Sequence, residues 1–216
     1  MRNKKIAIDS FYYNDTDCYS VGVIFENWKD DHALDIITSH VSNYEHYMPG
    51  QFYKKELPGI LSILKQVDLN EFDTVIIDGY VWLHDKSNKI KPGLGAKLYE
   101  ELFKEYSHIT VVGVGKTLYG KPCNTYSEVF RGYSKTPLYI TCSDISKTEK
   151  MATRVKKMYG RYKLPKLLKV LDNKTKELKH NIDDYDTKSQ KQHCVKRSIK
   201  LNNHICRHKF NCAKFY

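Results

Sequence analysis

The sequence contains no run of about 18 apolar residues, which excludes a membrane-spanning helix. It also lacks a secretory leader. Met1-Arg2-Asn3-Lys4-Lys5 passes straight into Ile6-Ala7-Ile8-Asp9, with neither an apolar core nor a small-residue cleavage site. The expectation is an intracellular protein without membrane association, cytoplasmic, or nuclear or nucleolar in a eukaryote. Of the cysteines, Cys194, Cys206 and Cys212 lie among His193, His204 and His208, yet none forms a C-x-x-C pair. A structural zinc site normally takes two tight ligand pairs, so this spacing argues for reduced thiols and against zinc. No internal repeat is present. Residues 188–216 contain no acidic side chain at all.

That last absence organises the rest of the chain. The protein has 216 residues and a formal net charge of +11. Its last 29 residues carry Lys188, Lys191, Lys196, Arg197, Lys200, Arg207, Lys209 and Lys214, while the remainder holds 28 basic against 25 acidic side chains. The tail is therefore +8 and the body only +3. The tail has too few aliphatic residues to bury a core of its own. With a boundary near Asp183-Asp184-Tyr185-Asp186, the sequence divides into a globular body, residues 1–182, and a basic Cys/His-containing tail, residues 183–216, expected to be disordered. The charge points to a polyanionic partner.

Along the body, Lys4–Tyr12, Tyr19–Trp28 and Ala33–Val41 alternate apolar and polar residues, as in a three-stranded meander. Tyr44–Phe52 contains Pro49-Gly50 and reads as a loop; Leu57, Ile60, Leu61 and Leu64 then recur at helical spacing over Lys54–Val67, with Pro58 placed in the first turn. Asp73–Asp78 and Ile109–Val114 are nearly continuous apolar runs, the mark of buried central strands, with a helix over about Ala96–Tyr106 between them. Glu128–Gly132 and Pro137–Cys142 form a hairpin, and Ser146 with Glu149 suggests a capping box for a helix ending near Met158 and Gly160. This order predicts a mixed α/β sheet, a meander plus parallel strands, with helices on both faces.

Two strands end on carboxylates, Asp9 and Asp78, and Glu56 opens the first helix. Each has an ordinary local use, in a turn or at a helix N-terminus. Delivered together to one sheet edge, they form a cradle for a hard divalent cation, which takes carboxylates, waters and phosphate oxygens. The phrase Gly113-Val114-Gly115-Lys116 is not a phosphate-binding P-loop. The glycine required six positions before the lysine is Thr110, and Pro122 follows where a helix would open.

Several segments together resemble the endonuclease V family, which is ribonuclease H-like in fold and incises strands near deoxyinosine. They are Tyr47 through Glu56, Ile76-Ile77-Asp78-Gly79 through His84, Gly113 through Lys116, the Asp9 strand and the Pro137-Leu138-Tyr139 strand, in order and with compatible spacing over roughly residues 5–175. The resemblance implies a ribonuclease H-like endonuclease that uses Mg²⁺, or Mn²⁺ in its place, on inosine-containing DNA or RNA. It would cleave a phosphodiester bond on the 3′ side and leave 3′-hydroxyl and 5′-phosphate ends, in DNA repair or inosine-RNA processing. It assigns catalytic roles to Asp9, Glu56, Asp78 and Lys116, the three carboxylates also holding the metal. Tyr47, Met48, Pro49, Gly50, Phe52, Lys55, Gly79 and His84 match its substrate-binding positions, with Tyr47-Met48-Pro49-Gly50 as a loop that wedges into a duplex. A monomer is expected. His46 stands where many relatives have proline, Lys55 where they have arginine, and Asp144 where they often have histidine. The alternatives are an inactive nucleic-acid binder of the same fold and a nuclease without inosine preference.

Overall fold

The computed structural model describes residues 2–13, 17–42, 53–84, 89–120 and 124–185. The wedge-loop residues Tyr47, Met48, Pro49 and Gly50, along with Phe52 and residues 186–216 of the tail, lie outside them, while residues 183–185, expected in the tail, are helical. The chain divides into two compact units, Met1–Thr175 and Lys176–Tyr216. No helix among the described residues is long and apolar enough to cross a membrane.

In the first unit, β1 (Lys4–Tyr13), β2 (Asp17–Phe25) and β3 (Asp35–Ser42) form the expected antiparallel meander. Helix α1 (Tyr53–Leu64) follows, then β4 (Phe72–Asp78), the short strands β5 (Trp82–His84) and β6 (Ile90–Pro92), α2 (Leu94–Tyr106) and β7 (Thr110–Gly115). The chain closes with β8 (Ser127–Val129), β9 (Leu138–Cys142), α3 (Thr148–Lys156) and a helix α4 over residues 166–185, of which residues 166–175 belong to this unit. The seven-stranded sheet has the order β3-β2-β1-β4-β7-β9-β8. The β1–β4 and β4–β7 pairs are parallel and the others antiparallel.

Strand alternation builds a core on each face. Ile6, Ile8, Val75 and Ile77 pack with Ile60, Ile63, Leu98 and Leu102 of α1 and α2. The intervening Ala7, Ile76 and Val112 are also fully buried, and Ile76 lines a cavity with Leu164, Leu168 and Leu171 at the α4 end of the chain.

Strands β5 and β6 and helix α4 were not expected, several boundaries shift by a few residues, and three differences have a local cause or consequence. Strand β2 stops at Phe25 rather than Trp28, because the Asp30 carboxylate accepts the main-chain N–H groups of Glu26 and Asn27, at 3.1 and 2.7 Å, and turns the chain. Pro58 is the sixth helical residue of α1, past the first turn. The Ser146/Glu149 capping box does not form. Asp144 instead accepts from Ser146 N at 3.1 Å and caps a short 3-10 turn, while Glu149 accepts from Ser127 Oγ at 2.8 Å.

Candidate active site

The central parallel strands place three functional side chains by register alone. Ile8 pairs with Ile77, so the next residues, Asp9 and Asp78, stand side by side where the β1–β4 pairing ends. Asp78 closes β4, but β1 does not end on Asp9 as expected and runs on to Tyr13, held by its pairing with β2. Asp78 pairs with Val114, and Lys116 is two residues further along β7's course, on the same face. The structure brings these three together with Asp172 of α4, all lining one cavity of about 20 Å³, which is room for a water or an ion and not for a nucleotide.

The Lys116 ammonium lies 2.6 Å from Asp78 Oδ2 and 3.3 Å from Asp172 Oδ1; the other Asp172 oxygen takes Lys169 Nζ at 2.8 Å. Burial lowers the Lys116 pKa, but the hydrogen bond to Asp78 and the charges of Asp78, Asp172 and Asp9 outweigh it and hold the group above its ordinary value. The turn that carries Lys116 is fixed from two sides. Tyr80 OH donates to Thr117 O at 2.6 Å, and Lys163 Nζ to Lys116 O at 3.1 Å.

The two glycines of the Gly113-Val114-Gly115-Lys116 phrase have a packing explanation. A Cβ on Gly113 would stand 2.7 Å from Gly79 O, and one on Gly115 2.5 Å from the Tyr80 ring. The segment after β4 crosses β7 at this point, and only bare backbone lets it pass. Gly79 itself sits at φ 132°, in the region that favours glycine, and donates its N–H to Val114 O at 3.2 Å. That sharp departure is what leaves Asp78 at the strand's end.

Burial pushes the Asp9 carboxyl up to about 6; the neighbouring Asp78 charge adds to the rise, while Lys116, the Thr175 hydroxyl and the Ser10 N–H oppose it. Glu56, in the first turn of α1, is pushed up to about 7. Burial is again the main cause, opposed by a hydrogen bond from Tyr12 and reinforced by the charges of Asp9 and Asp78. Tyr12 also carries the Lys55 ammonium over its ring, 5.7 Å from the centroid. The Lys55 contact therefore joins Tyr12 of β1 to the first turn of α1.

The remaining candidates separate from this group. Lys55 belongs to the Tyr12 contact. His84 is 9% exposed in β5 and does not line the cavity. Asp144 binds Ser146 and pairs with Lys147 at 3.0 Å, so it is a cap and not a member of the cluster. The residue that the sequence reading missed is Asp172. Its signal was present in Leu167, Leu168 and Leu171, which recur at helical spacing and bury one stripe of α4 beside it. Among the described residues, no three His, Cys, Asp or Glu side chains are gathered into a set that could hold a metal ion as they stand. The positive charge inside the cluster is the Lys116 ammonium.

No family model matches the chain, and no curated protein sequence does. Solved structures do. Endonuclease V from Bacillus subtilis matches with a TM-score of 0.62 at 14% identity, over 85% of this chain and 83% of that one. Human endonuclease V matches with a TM-score of 0.64 at 14% identity, over 84% and 86%. Ciona intestinalis endonuclease V, in complex with a 24mer DNA containing an inosine followed by a ribo-adenosine, matches at 0.63 and 15%, over 83% and 87%. The architecture of this chain is that of endonuclease V, a ribonuclease H-like fold.

Proposed function

We propose that the protein is a divalent-metal-dependent endonuclease that hydrolyses a phosphodiester bond on the 3′ side of inosine in DNA or RNA, leaving 3′-hydroxyl and 5′-phosphate ends. The observation that carries this reading is the convergence of Asp9, Asp78, Asp172 and Lys116 on one cavity, with Glu56 in electrostatic contact with Asp9 and Asp78. Acids clustered at this cost to their own ionisation gain nothing for a protein that merely attracts phosphate. The inosine assignment is supported by the sequence of the wedge loop and by the inosine-containing DNA bound to the Ciona enzyme.

The residues suit a hard cation in their chemistry. The donors are all carboxylate oxygens, and Asp9 and Glu56 are held above their ordinary range, as expected where a cluster is short of positive charge. Asp9, Asp78 and Glu56 would hold Mg²⁺ or Mn²⁺, with Asp172 beside them. Such an ion, when bound, neutralises phosphate charge and acidifies a water. Lys116 is the cation that lines the cavity, and its ammonium stays protonated at neutral pH. It would hold a non-bridging phosphate oxygen. In the metal-free protein Glu56 is held up at about 7, so loading a cation on it would release a proton near neutral pH.

The test is incision of inosine-containing oligonucleotides, DNA and RNA in parallel, by the wild type and Asp78→Ala in Mg²⁺. Inosine-dependent cutting by the wild type alone is expected. Binding without cutting by either protein would make the chain an inactive binder, and cutting that ignores inosine would remove the base specificity.

A further inference from the structure

Beside the acidic cavity lies a wider groove of about 690 Å³, whose lining includes Tyr159, Arg161, Tyr162, Leu164, Lys166 and Lys169 and no acidic residue. Leu164 lines both, so the groove opens directly alongside the carboxylate cluster. Two aromatic rings stand in it, Tyr159 at 51% and Tyr162 at 65% exposure. Each has a cation against it. The Arg161 guanidinium is 5.1 Å from the Tyr162 ring centroid, and the Lys166 ammonium 5.3 Å from that of Tyr159.

The segment bearing these rings is held from beneath by Arg131, which is 7% exposed. Its guanidinium donates to five main-chain carbonyls: Lys156 at 3.2 Å, Met158 at 2.5 Å, Gly160 at 2.9 Å, Tyr162 at 2.9 Å and Lys163 at 3.3 Å. Burying a guanidinium is costly, and here it is offset by donors satisfied in a fixed fork. Lys166 N also donates to Tyr159 O at 2.8 Å, closing the segment onto the start of α4. The exposed tyrosines thus sit on a rigid frame rather than a loose loop. Large apolar rings kept in water on a braced backbone, flanked by cations, match the pattern that stacks bases while tracking a phosphate backbone.

We propose that this groove binds single-stranded nucleic acid, stacking successive bases on Tyr159 and Tyr162 and taking their phosphates on Arg161 and Lys166. Given the endonuclease reading, on which this part of the inference rests, the occupant is the strand flanking the scissile bond.

The test is fluorescence anisotropy with the full chain in metal-free buffer at 0.3 M salt, where attraction to the basic tail is screened. The probes are labelled single-stranded DNA and RNA ten-mers without inosine, and an abasic ten-mer of equal charge. Base–aromatic stacking is worth on the order of 1–3 kcal/mol per base. The Tyr159→Ala/Tyr162→Ala double variant should therefore bind the normal ten-mers at least tenfold more weakly. The Tyr159→Phe/Tyr162→Phe variant, which keeps both rings, should bind like the wild type. The abasic strand should bind wild type as weakly as normal strands bind the Ala variant. Equal affinity of the wild type and the Ala variant, or of normal and abasic strands, overturns the proposal. Incision is read separately. A stacking loss in a chain that never cuts keeps the groove and sinks the endonuclease; inosine-dependent cutting with unchanged affinity in the Ala variant does the reverse.

Discussion

Replacing Glu56 by Gln should make the metal-free protein more stable at neutral and alkaline pH. The native Glu56 carboxyl is raised from 4.5 to about 7, chiefly by burial. The native state therefore binds its proton to a higher pH than the unfolded chain does. The sign follows: stability from this group is complete below about pH 4.5 and is lost as pH rises through about 7. At about 1.4 kcal/mol for each tenfold change, that rise corresponds to a penalty of about 3 kcal/mol once Glu56 is fully ionised. Gln is nearly isosteric, keeps an acceptor for the Tyr12 hydroxyl and never ionises. For a chain of this length, ~3 kcal/mol is roughly 6–12 °C in Tm. In EDTA, Glu56→Gln should melt at roughly that much higher temperature than the wild type at pH 8, with little difference at pH 4.5. Thermal melts by circular dichroism at both pH values read this directly, and the comparison between them cancels any pH-independent effect of the substitution. An equal effect at the two pH values, or a variant less stable at pH 8 than at pH 4.5 relative to wild type, would refute the claim that Glu56 is ionised at a cost. Adding Mg²⁺ at pH 8 should raise the wild-type Tm more than the variant's, because the ion relieves a repulsion that the variant no longer has.

Three further outcomes follow from the cluster and its surroundings. Asp172→Asn should lower the incision rate on the order of 10²-fold, the scale of losing one preorganised electrostatic group, while anisotropy shows oligonucleotide affinity maintained; an unchanged rate would place Asp172 outside the machinery. Asp144→Ala should lose about 1 kcal/mol of stability in urea melts through the lost cap, with incision intact; a loss of incision comparable to that of Asp172→Asn would restore Asp144 to the site. Deleting residues 188–216 should weaken binding and flatten its salt dependence, since eight basic side chains leave with no acid, with incision at saturating substrate preserved. Abolished incision would make the tail part of the site.

The parts of the fold legible in the sequence are those governed by short-range periodicity. Alternation marked β1 and β3, and unbroken apolar runs marked β4 and β7 as central, because a strand covered on both faces has no polar side to show. Asp78 was legible for the same reason, since it closes a central strand, whereas Asp9 stands inside β1 and marks only the point where the pairing with β4 stops. What escaped was non-local. Asp172 reaches the cavity from a helix nearly a hundred residues beyond Asp78 in the chain, and the leucines beside it mark a buried helix face without marking its partners. Asp144, by contrast, lies where a linear comparison offers a partner for the site, yet the N–H and hydroxyl of Ser146 satisfy it locally. Side chains such as Asp are chosen by the first donors within reach, and those next in sequence usually arrive first.

The same competition explains the electrostatic design of the cluster. A protein whose first unit gathers Asp9, Glu56, Asp78 and Asp172 must neutralise them before folding is favourable, and without a bound ion it does so by two means. Asp9 and Glu56 retain protons to about 6 and about 7, and Lys116 lies between Asp78 and Asp172. A divalent cation held by Asp9, Asp78 and Glu56, as the proposed function has it, would supply the positive charge that these two means supply in the metal-free protein. Under the proposed function the lysine that stabilises the metal-free fold is then the group available to the phosphate. The cost of assembling the acids is offset by protonation and by the ion pairs of Lys116 and Lys169. The net charge of the whole chain therefore says little about this site. The basic tail accounts for +8 of the +11, whereas the proposed chemistry rests on acids in a body that carries only +3.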